Sequence, residues 1–485
     1  MSTLRNGDGD LVTEHGDMAD ILANRFFNDD PAPVDTHFHD DPNPVPERDW
    51  TPIGPKEIKE LLNKTSNTSS PGLSGIGYQL VKWAWGTIKD YVAALFNACA
   101  TLGYHPARWK RAVIAVIPKP DQKDYSLPKN YRPIALLETF GKLLEKVMAK
   151  CILVDITRNN LVPTNQFGGR NASSCTDAGL TLIHDVTLAH RANLKCGMLL
   201  FDIRRFFDNV NHARLVSIMT DLGFPSEIHR WTESFLKGRR VRLRFNGNLA
   251  EERNLDLGTP QGSPASPVLS AIYTSPLLHR MRGWNNSSLG MYVDDGVLFA
   301  CAETWEGVTK LLRARYAVCL DWLTRAGLAI EPDKTELLFF RKPGSRNIIP
   351  PPTRLILPEP TINSYYVVAP VDTVRYLGFY INHKLDWSVH VNIMCNRARV
   401  SLKALQLLGN SVRGLSAANW RLVYNAVCLP VLTYGCQLWF TGQQKMLVKK
   451  LQVVQNEGVK IIAGAFRTAP RDALHEHLRV FPMHI

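Results

Sequence analysis

The stretch LGMYVDDGVLFA at 289–300 constrains this chain most. Its apolar, β-favouring residues suit a buried strand pair, yet two adjacent carboxylates, Asp294 and Asp295, sit at its centre. Gly290–Val293 and Val297–Cys301 read as strands joined through Asp294-Asp295-Gly296, with Asp-Gly as the turn signal. An acidic, solvated turn would account for that hairpin taken alone. A second apolar run, GMLLFDIRRFFDNVNHARL at 197–215, also carries an acid, Asp202, at the end of its strand candidate Met198–Ile203. Two buried strands that each end in carboxylates are costly unless the acids are paired, coordinated or solvated. Brought together, Asp202, Asp294 and Asp295 would make an oxygen-rich pocket suited to hard divalent cations, above all magnesium, with manganese as the alternative. Two such ions serve an in-line phosphoryl displacement, which is the chemistry of nucleotidyl transfer.

The rest of the chain narrows the setting. Its 485 residues, 45% of them hydrophobic, are enough for a large core and two or three substructures. The net charge is +13, but residues 1–50 hold twelve Asp/Glu against Arg5, Arg25 and Arg48, so the remainder carries +22. A basic body favours a polyanionic partner such as nucleic acid. Nine cysteines without a CxxC pair argue against a zinc knuckle or a disulfide framework and fit a reducing, intracellular setting. No signal sequence opens the chain, and the uncharged window between Arg421 and Lys445 holds Asn425 and Pro430, so buried core helices are expected there and no membrane partner. Residues 1–50, acidic and Pro-rich, read as an irregular lead-in; His37-Phe38-His39-Asp40 within them has the form of a metal motif but no further ligands of suitable spacing. Helices are expected over 55–63, 78–99 and 141–160, a strand over 112–117, a loop or insertion at the proline-rich 347–360, and helical, basic sequence beyond about 385.

An ordered set of segments carries a family resemblance. Tyr292-Val293-Asp294-Asp295 resembles the catalytic hairpin of reverse transcriptases, FDIRRFFDNV at 201–210 their first acidic motif, and GTPQGSPASPVLS at 258–270 the motif between them. WKRAVIAVIPKP at 109–120, NYRPIALLETFGKLLEKV at 130–147 and NQFGGRNASSCTDA at 165–178 resemble the fingers segments of non-LTR, LINE-type retrotransposon enzymes. Downstream, GLAIEPDKTELLFF at 327–340 and VRYLGFYI at 374–381 resemble the next two motifs. The resemblance implies an α+β right-hand polymerase with an antiparallel palm sheet. Fingers and palm would span 51–385, and a helical thumb and post-thumb region 386–485. It implies RNA-directed DNA synthesis with an RNA template, a DNA primer, dNTPs and magnesium, in the nucleus.

Roles follow residue by residue from the same match. Asp202, Asp294 and Asp295 are the metal-binding acids; Lys334 is the lysine that protonates the leaving pyrophosphate. Lys119, Arg132 and Arg170 are the basic positions of the fingers, able to neutralise a triphosphate. Gln261 and Gly262 form a nucleotide-facing loop with Tyr292 nearby, and Tyr376-Leu377-Gly378 is the primer-grip hairpin. Phe207 occupies the steric-gate position, where an aromatic ring clashes with a ribose 2′-OH and offers it no acceptor; Phe206 is assigned to the core. Three departures stand out: Ser74 where Asp is usual, Arg204-Arg205-Phe206 where Ser-Lys-Ala is common, and Glu331 where Asn is usual. Neither an endonuclease nor an RNase H pattern is legible, as expected of a polymerase core cut from a longer or decayed element. The rival readings are a non-catalytic nucleic-acid-binding relic and an RNA-dependent RNA polymerase, for which Asp208 supplies a second acid after Asp202.

Overall fold

The computed structural model describes residues 3–27, 34–35, 45–120, 122–283, 285–342, 354–359, 364–407, 414–466 and 468–483. A four-stranded antiparallel sheet runs in the order Glu336–Phe340, Lys195–Asp202, Asp295–Ala302, Ser287–Tyr292. Its strands read as continuous apolar runs because both faces are covered. Leu199, Phe201, Leu298, Ala300, Leu337 and Phe339 enter one core. Their alternate neighbours Met198, Leu200, Val297, Phe299, Leu338 and Phe340 enter a second, which is shared with the C-terminal helices.

A second four-stranded sheet runs Tyr131–Leu136, Arg111–Pro118, Arg239–Phe245, Asn248–Leu255, with the two central strands parallel. One face builds a third core from Ala112, Ile114, Ala135, Val241, Leu243 and Phe245. Covering that face is a helix the sequence reading did not expect. Residues 1–50 are not irregular throughout: His15–Phe26 is a twelve-residue helix, and Met18, Leu22, Ala23 and Phe26 pack onto the sheet. The spacing of those residues is helical, but Asp17 and Asp20 on the outer face made the segment look merely acidic. The HFHD motif lies outside the described residues.

Elsewhere the expected elements form close to their expected bounds, as helices Pro55–Asn63, Tyr78–Thr101 and Thr139–Asn159 and strand Arg111–Pro118. The proline-rich segment is not loop throughout, since Leu355–Pro358 pairs antiparallel with Tyr365–Val368. Beyond residue 385 the described residues are mainly helical, with Ser388–Gln406 and Lys445–Ala463 the long elements. The uncharged window breaks into Ala417–Val423, a π-turn at Tyr424–Cys428 and the short helices Leu429–Leu432 and Cys436–Trp439. Among the described residues no helix is long and apolar enough to cross a membrane. All nine cysteines are free.

Candidate active site

Strand order assembles the site. Because Lys195–Asp202 lies between Asp295–Ala302 and Glu336–Phe340, its last residue is flanked on one side by the acidic hairpin and on the other by the segment leading to Lys334. Asp202 is the register partner of Asp295. The Ile203 N–H donates to the Asp294 carbonyl at 3.0 Å, and the Glu331 N–H donates to the Asp202 carbonyl at 2.9 Å. Three segments separated by up to about 130 positions thus meet at one strand end, and Lys334 Nζ donates to Asp202 Oδ1 at 2.9 Å.

The hairpin forms, but not at the register expected. Tyr292 pairs with Asp295, so the two turn residues are Val293 and Asp294. Gly296 lies inside the strand, where a Cβ would come within 2.2 Å of the Phe201 ring; ring packing, not a turn, calls for that glycine. Val293 takes a φ of 61° instead, unusual for a β-branched residue and a local strain. Val293→Asn is therefore expected to stabilise the fold by about 1 kcal/mol, since asparagine tolerates the left-handed region; equilibrium denaturation measures it, and an unchanged midpoint would contradict the strain.

Burial first, then the Asp294 and Asp202 carboxylates, push Asp295 up to about 6. Asp294 is raised by burial and then by Asp202, with Lys334 and Arg132 opposing. A divalent cation relieves that mutual repulsion. The three-carboxylate pocket anticipated from the sequence needs one correction, however: among the described residues no group of three His, Cys, Asp or Glu side chains is placed to hold a metal ion. Asp294 belongs to the turn, whereas Asp295 starts a strand and lines, with Asp202, Lys334, Arg375 and Tyr376, a cavity of about 330 Å³. What the residues fit is magnesium, which takes one or two carboxylates and completes its shell with water and substrate phosphates.

The sign of the Asp295 shift makes a stability prediction. Its folded-state value lies above the unfolded value of about 3.9, so the folded protein holds the proton more firmly. Stability from this group is present at low pH and lost as pH rises through the window from about 4 to about 6. Without divalent cation, Asp295→Asn should therefore be more stable than the parent at pH 7, by roughly 1–3 kcal/mol, and equal to it near pH 4. Paired melting curves across that range check it, and a gap that does not close on acidification would contradict it.

Around the acids stand cations from the other sheet. Arg132 and Ile117 are register partners at the end of the strand pair that carries Lys119. Burial lowers the Lys119 pKa first, followed by the charges of Lys334, Arg132 and Arg25, while Asp202 raises it. Lys119 Nζ donates to the Lys129 carbonyl at 2.7 Å. Arg170 instead donates to the carbonyls of Pro163 at 3.0 Å and Gln166 at 3.5 Å, bracing its own loop.

Gln261 Nε2 donates to Asp208 Oδ1 at 3.1 Å, and the Gln261 carbonyl accepts from the Ala135 N–H at 2.8 Å. The loop thus ties the mixed sheet to the turn that follows Asp202. Gly262, at φ 117°, comes so near the Ala135 carbonyl that a Cβ would lie 2.9 Å from it. Phe206 is buried at 1% exposure, while Phe207 beside it is only partly buried. Tyr376 pairs with Phe379 across Leu377 and Gly378, both at positive φ, a tight two-residue turn of the primed kind. Tyr434 Oη braces it by donating to the Leu377 carbonyl at 2.9 Å. Tyr292, opposite Asp295, packs against the second core.

Residues 117–381 match the family model described as Reverse transcriptase (RNA-dependent DNA polymerase). The chain belongs to the reverse transcriptase family. Among its relatives is the probable RNA-directed DNA polymerase from transposon X-element of Drosophila melanogaster, 27% identical over 433 residues, covering 89% of this chain and 46% of the relative. The RNA-directed DNA polymerase from mobile element jockey of Drosophila funebris is 24% identical, covering 85% of this chain and 44% of its own. The non-LTR, LINE-type resemblance read from the motifs stands, and this chain spans about half the length of those relatives. The solved apo telomerase of Candida Tropicalis aligns with a TM-score of 0.39 and 11% identity, over 64% of this chain and 66% of that one.

The departures of this reverse transcriptase from its family pattern find partners. Arg204 Nε lies 3.6 Å from Glu331 Oε2, so two of the unusual residues pair with each other. Ser74 Oγ donates to Glu138 Oε2 at 2.5 Å, and its N–H to Glu138 Oε1 at 2.9 Å. Arg205 Nη2 donates to the Phe26 carbonyl at 2.9 Å, and Arg205 Nε faces Asp208 Oδ2 at 3.4 Å. Sequence reasoning missed the N-terminal helix in this role. The Met18, Leu22, Phe26 spacing was the signal that could have found it.

Proposed function

We propose that this reverse transcriptase catalyses RNA-directed DNA synthesis, adding dNTPs to a primer 3′-OH. The observation that carries the reading is the convergence of Asp202, Asp294 and Asp295 at one strand end beside Lys334, with Arg132 and Lys119 in electrostatic reach. In this reading the antiparallel acid-bearing sheet is the palm, the mixed sheet with the helices up to Thr139–Asn159 the fingers, and the helices from Ser388 the thumb. Asp202 and Asp294 would hold magnesium, or manganese in its place, with Asp295 assisting. Bound there, the ions would supply activation of the attacking hydroxyl and stabilisation of the leaving oxygen.

The chain's own groups do the rest. Lys119 and Arg132 neutralise the triphosphate as its charge shifts toward the leaving group. Lys334 gives its ammonium proton to the departing pyrophosphate, and its side chain, 56% exposed, can swing from Asp202 to do so. Phe207 presses on the sugar. Gln261, fixed through Asp208, holds the loop under the incoming base or template. The Tyr376-Leu377-Gly378 turn, across the cavity from Asp202, seats the primer end. Lys and Arg on the C-terminal helices grip the RNA–DNA duplex through phosphates, with the salt sensitivity that entails. A nuclear site of action goes with this reading.

The rival readings are less well supported. A relic would have no need to keep Asp294 and Asp295 half-buried beside Asp202, and Asp208, the acid an RNA polymerase reading relies on, is engaged by Gln261 and Arg205. Primer extension on an RNA template with magnesium tests the proposal. Incorporation of dNTPs well above rNTPs is expected; binding of primer–template by folded protein with no incorporation overturns it in favour of the relic.

A further inference from the structure

The N-terminal helix ends against the turn that follows Asp202, and its placement is built rather than incidental. Its apolar face is buried in the third core. On its outer side Arg253 donates to Asn24 Oδ1 at 2.8 Å and lies 3.5 Å from Asp20. At its C-terminal end the Phe26 carbonyl accepts from Arg205, three residues past Asp202. Phe26 and Phe27 then wall a cavity of about 160 Å³ whose other side includes Asp208 and Gln261. The helix thus closes against both the turn after Asp202 and the Gln261 loop.

This leaves Arg25 in the last turn, exposed at the edge of the site. Most of the other cations near the acids are engaged: Lys334 by Asp202, Lys119 by a carbonyl, Arg204 by Glu331, Arg205 by Phe26 and Asp208, while Arg375, on the far strand pair, lies over the Tyr380 ring. Arg132 and Arg25 are different. Neither guanidinium has a hydrogen bond or ion pair among the described residues. Arg25 is nonetheless close enough to feel its surroundings. Partial burial lowers its pKa first, then the charges of Arg205 and Arg204, with Glu331 and Asp208 opposing. A positive charge at a helix C-terminus is favourable by itself; Arg25 in addition feels the charges of Arg205, Arg204, Glu331 and Asp208 around the turn that follows Asp202.

We propose that Arg25 is a further cationic ligand of the incoming nucleotide's polyphosphate, opposite Arg132 and Lys119, so that the helix His15–Phe26 is part of the nucleotide site. The proposal rests on the polymerase reading above. A planar guanidinium forks onto two phosphate oxygens, whereas lysine offers a point charge. Arg25→Lys should therefore recover only part of what Arg25→Ala loses.

The test uses the full chain and reads two quantities. In primer extension, Arg25→Ala is expected to raise KM for dNTP about tenfold while kcat stays within about twofold. Its affinity for primer–template and its melting temperature should match the parent. Independently, tripolyphosphate should displace less readily from the parent than from Arg25→Ala in a binding titration, with Arg25→Lys between them. Unchanged KM and unchanged tripolyphosphate affinity overturn the proposal. So does a KM effect that comes with an equal loss of primer–template affinity or a lowered melting temperature, which would mark a merely structural helix. If Arg25→Ala does not fold, Arg25→Gln is measured against the same criteria. If the parent incorporates no nucleotide, the polymerase reading fails, and the tripolyphosphate titration still decides the role of Arg25.

Discussion

Asp294→Asn should remove RNA-templated extension, lowering the rate by on the order of 10³-fold or more. Asp294 stands in the turn, where burial and then the Asp202 carboxylate raise the cost of its charge, and an amide at that position holds a hard cation poorly. Loss of several kcal/mol of transition-state stabilisation translates into about that factor. The fold should not suffer, because the substitution removes a repelling charge and keeps the shape. A variant that melts no lower than the parent, binds primer–template and does not extend it is the expected result. Asp295→Asn should cost less activity, since Asp295 only assists Asp202 and Asp294 in the proposed site. Extension by Asp294→Asn at the parent rate would end the assignment.

The second large effect separates two adjacent rings. Phe206 is 1% exposed, packed in the main core and 6.5 Å from the Tyr273 ring. Phe206→Ala should cost about 3–5 kcal/mol of stability. Phe207, partly exposed 5.9 Å away, should cost far less when truncated. Its loss instead opens space for a ribose 2′-OH. Phe207→Ala is expected to raise rNTP incorporation relative to dNTP by about 10²-fold, with folding retained. Single-nucleotide extension with paired dNTP and rNTP series measures it. Equal discrimination before and after the change would show that the ring plays no part in sugar choice, and a parent that already accepts rNTPs would favour the RNA polymerase reading.

Much of the site could be read from local chemistry. Acids at the ends of two apolar strands are costly unless paired, coordinated or solvated, so Asp202, Asp294 and Asp295 announced themselves before any fold was known. The split between Phe206 and Phe207 followed from motif position and matches their burial. The turn register did not follow. Asp-Gly is a strong local signal, but the Phe201 ring, almost a hundred residues away in sequence, occupies the space above Gly296 and draws it into the strand. The N-terminal helix was hidden for a related reason. Its apolar stripe is short and its outer face acidic, and only the exposed face of the mixed sheet gives that stripe something to bury against.

The sequence by itself determined which reactive groups this chain carries: the acids, the basic positions and the paired aromatic rings are residue types, and type survives without coordinates. Tertiary structure alone decided how those groups are engaged. It set Lys334 on Asp202, paired Arg204 with Glu331 across the strand end, turned Arg170 into its own loop, and brought the end of the helix His15–Phe26 onto Arg205. Charge pairing and strand register are properties of distance between residues far apart in the chain, and distance is set by packing of the whole core, not by any window of sequence.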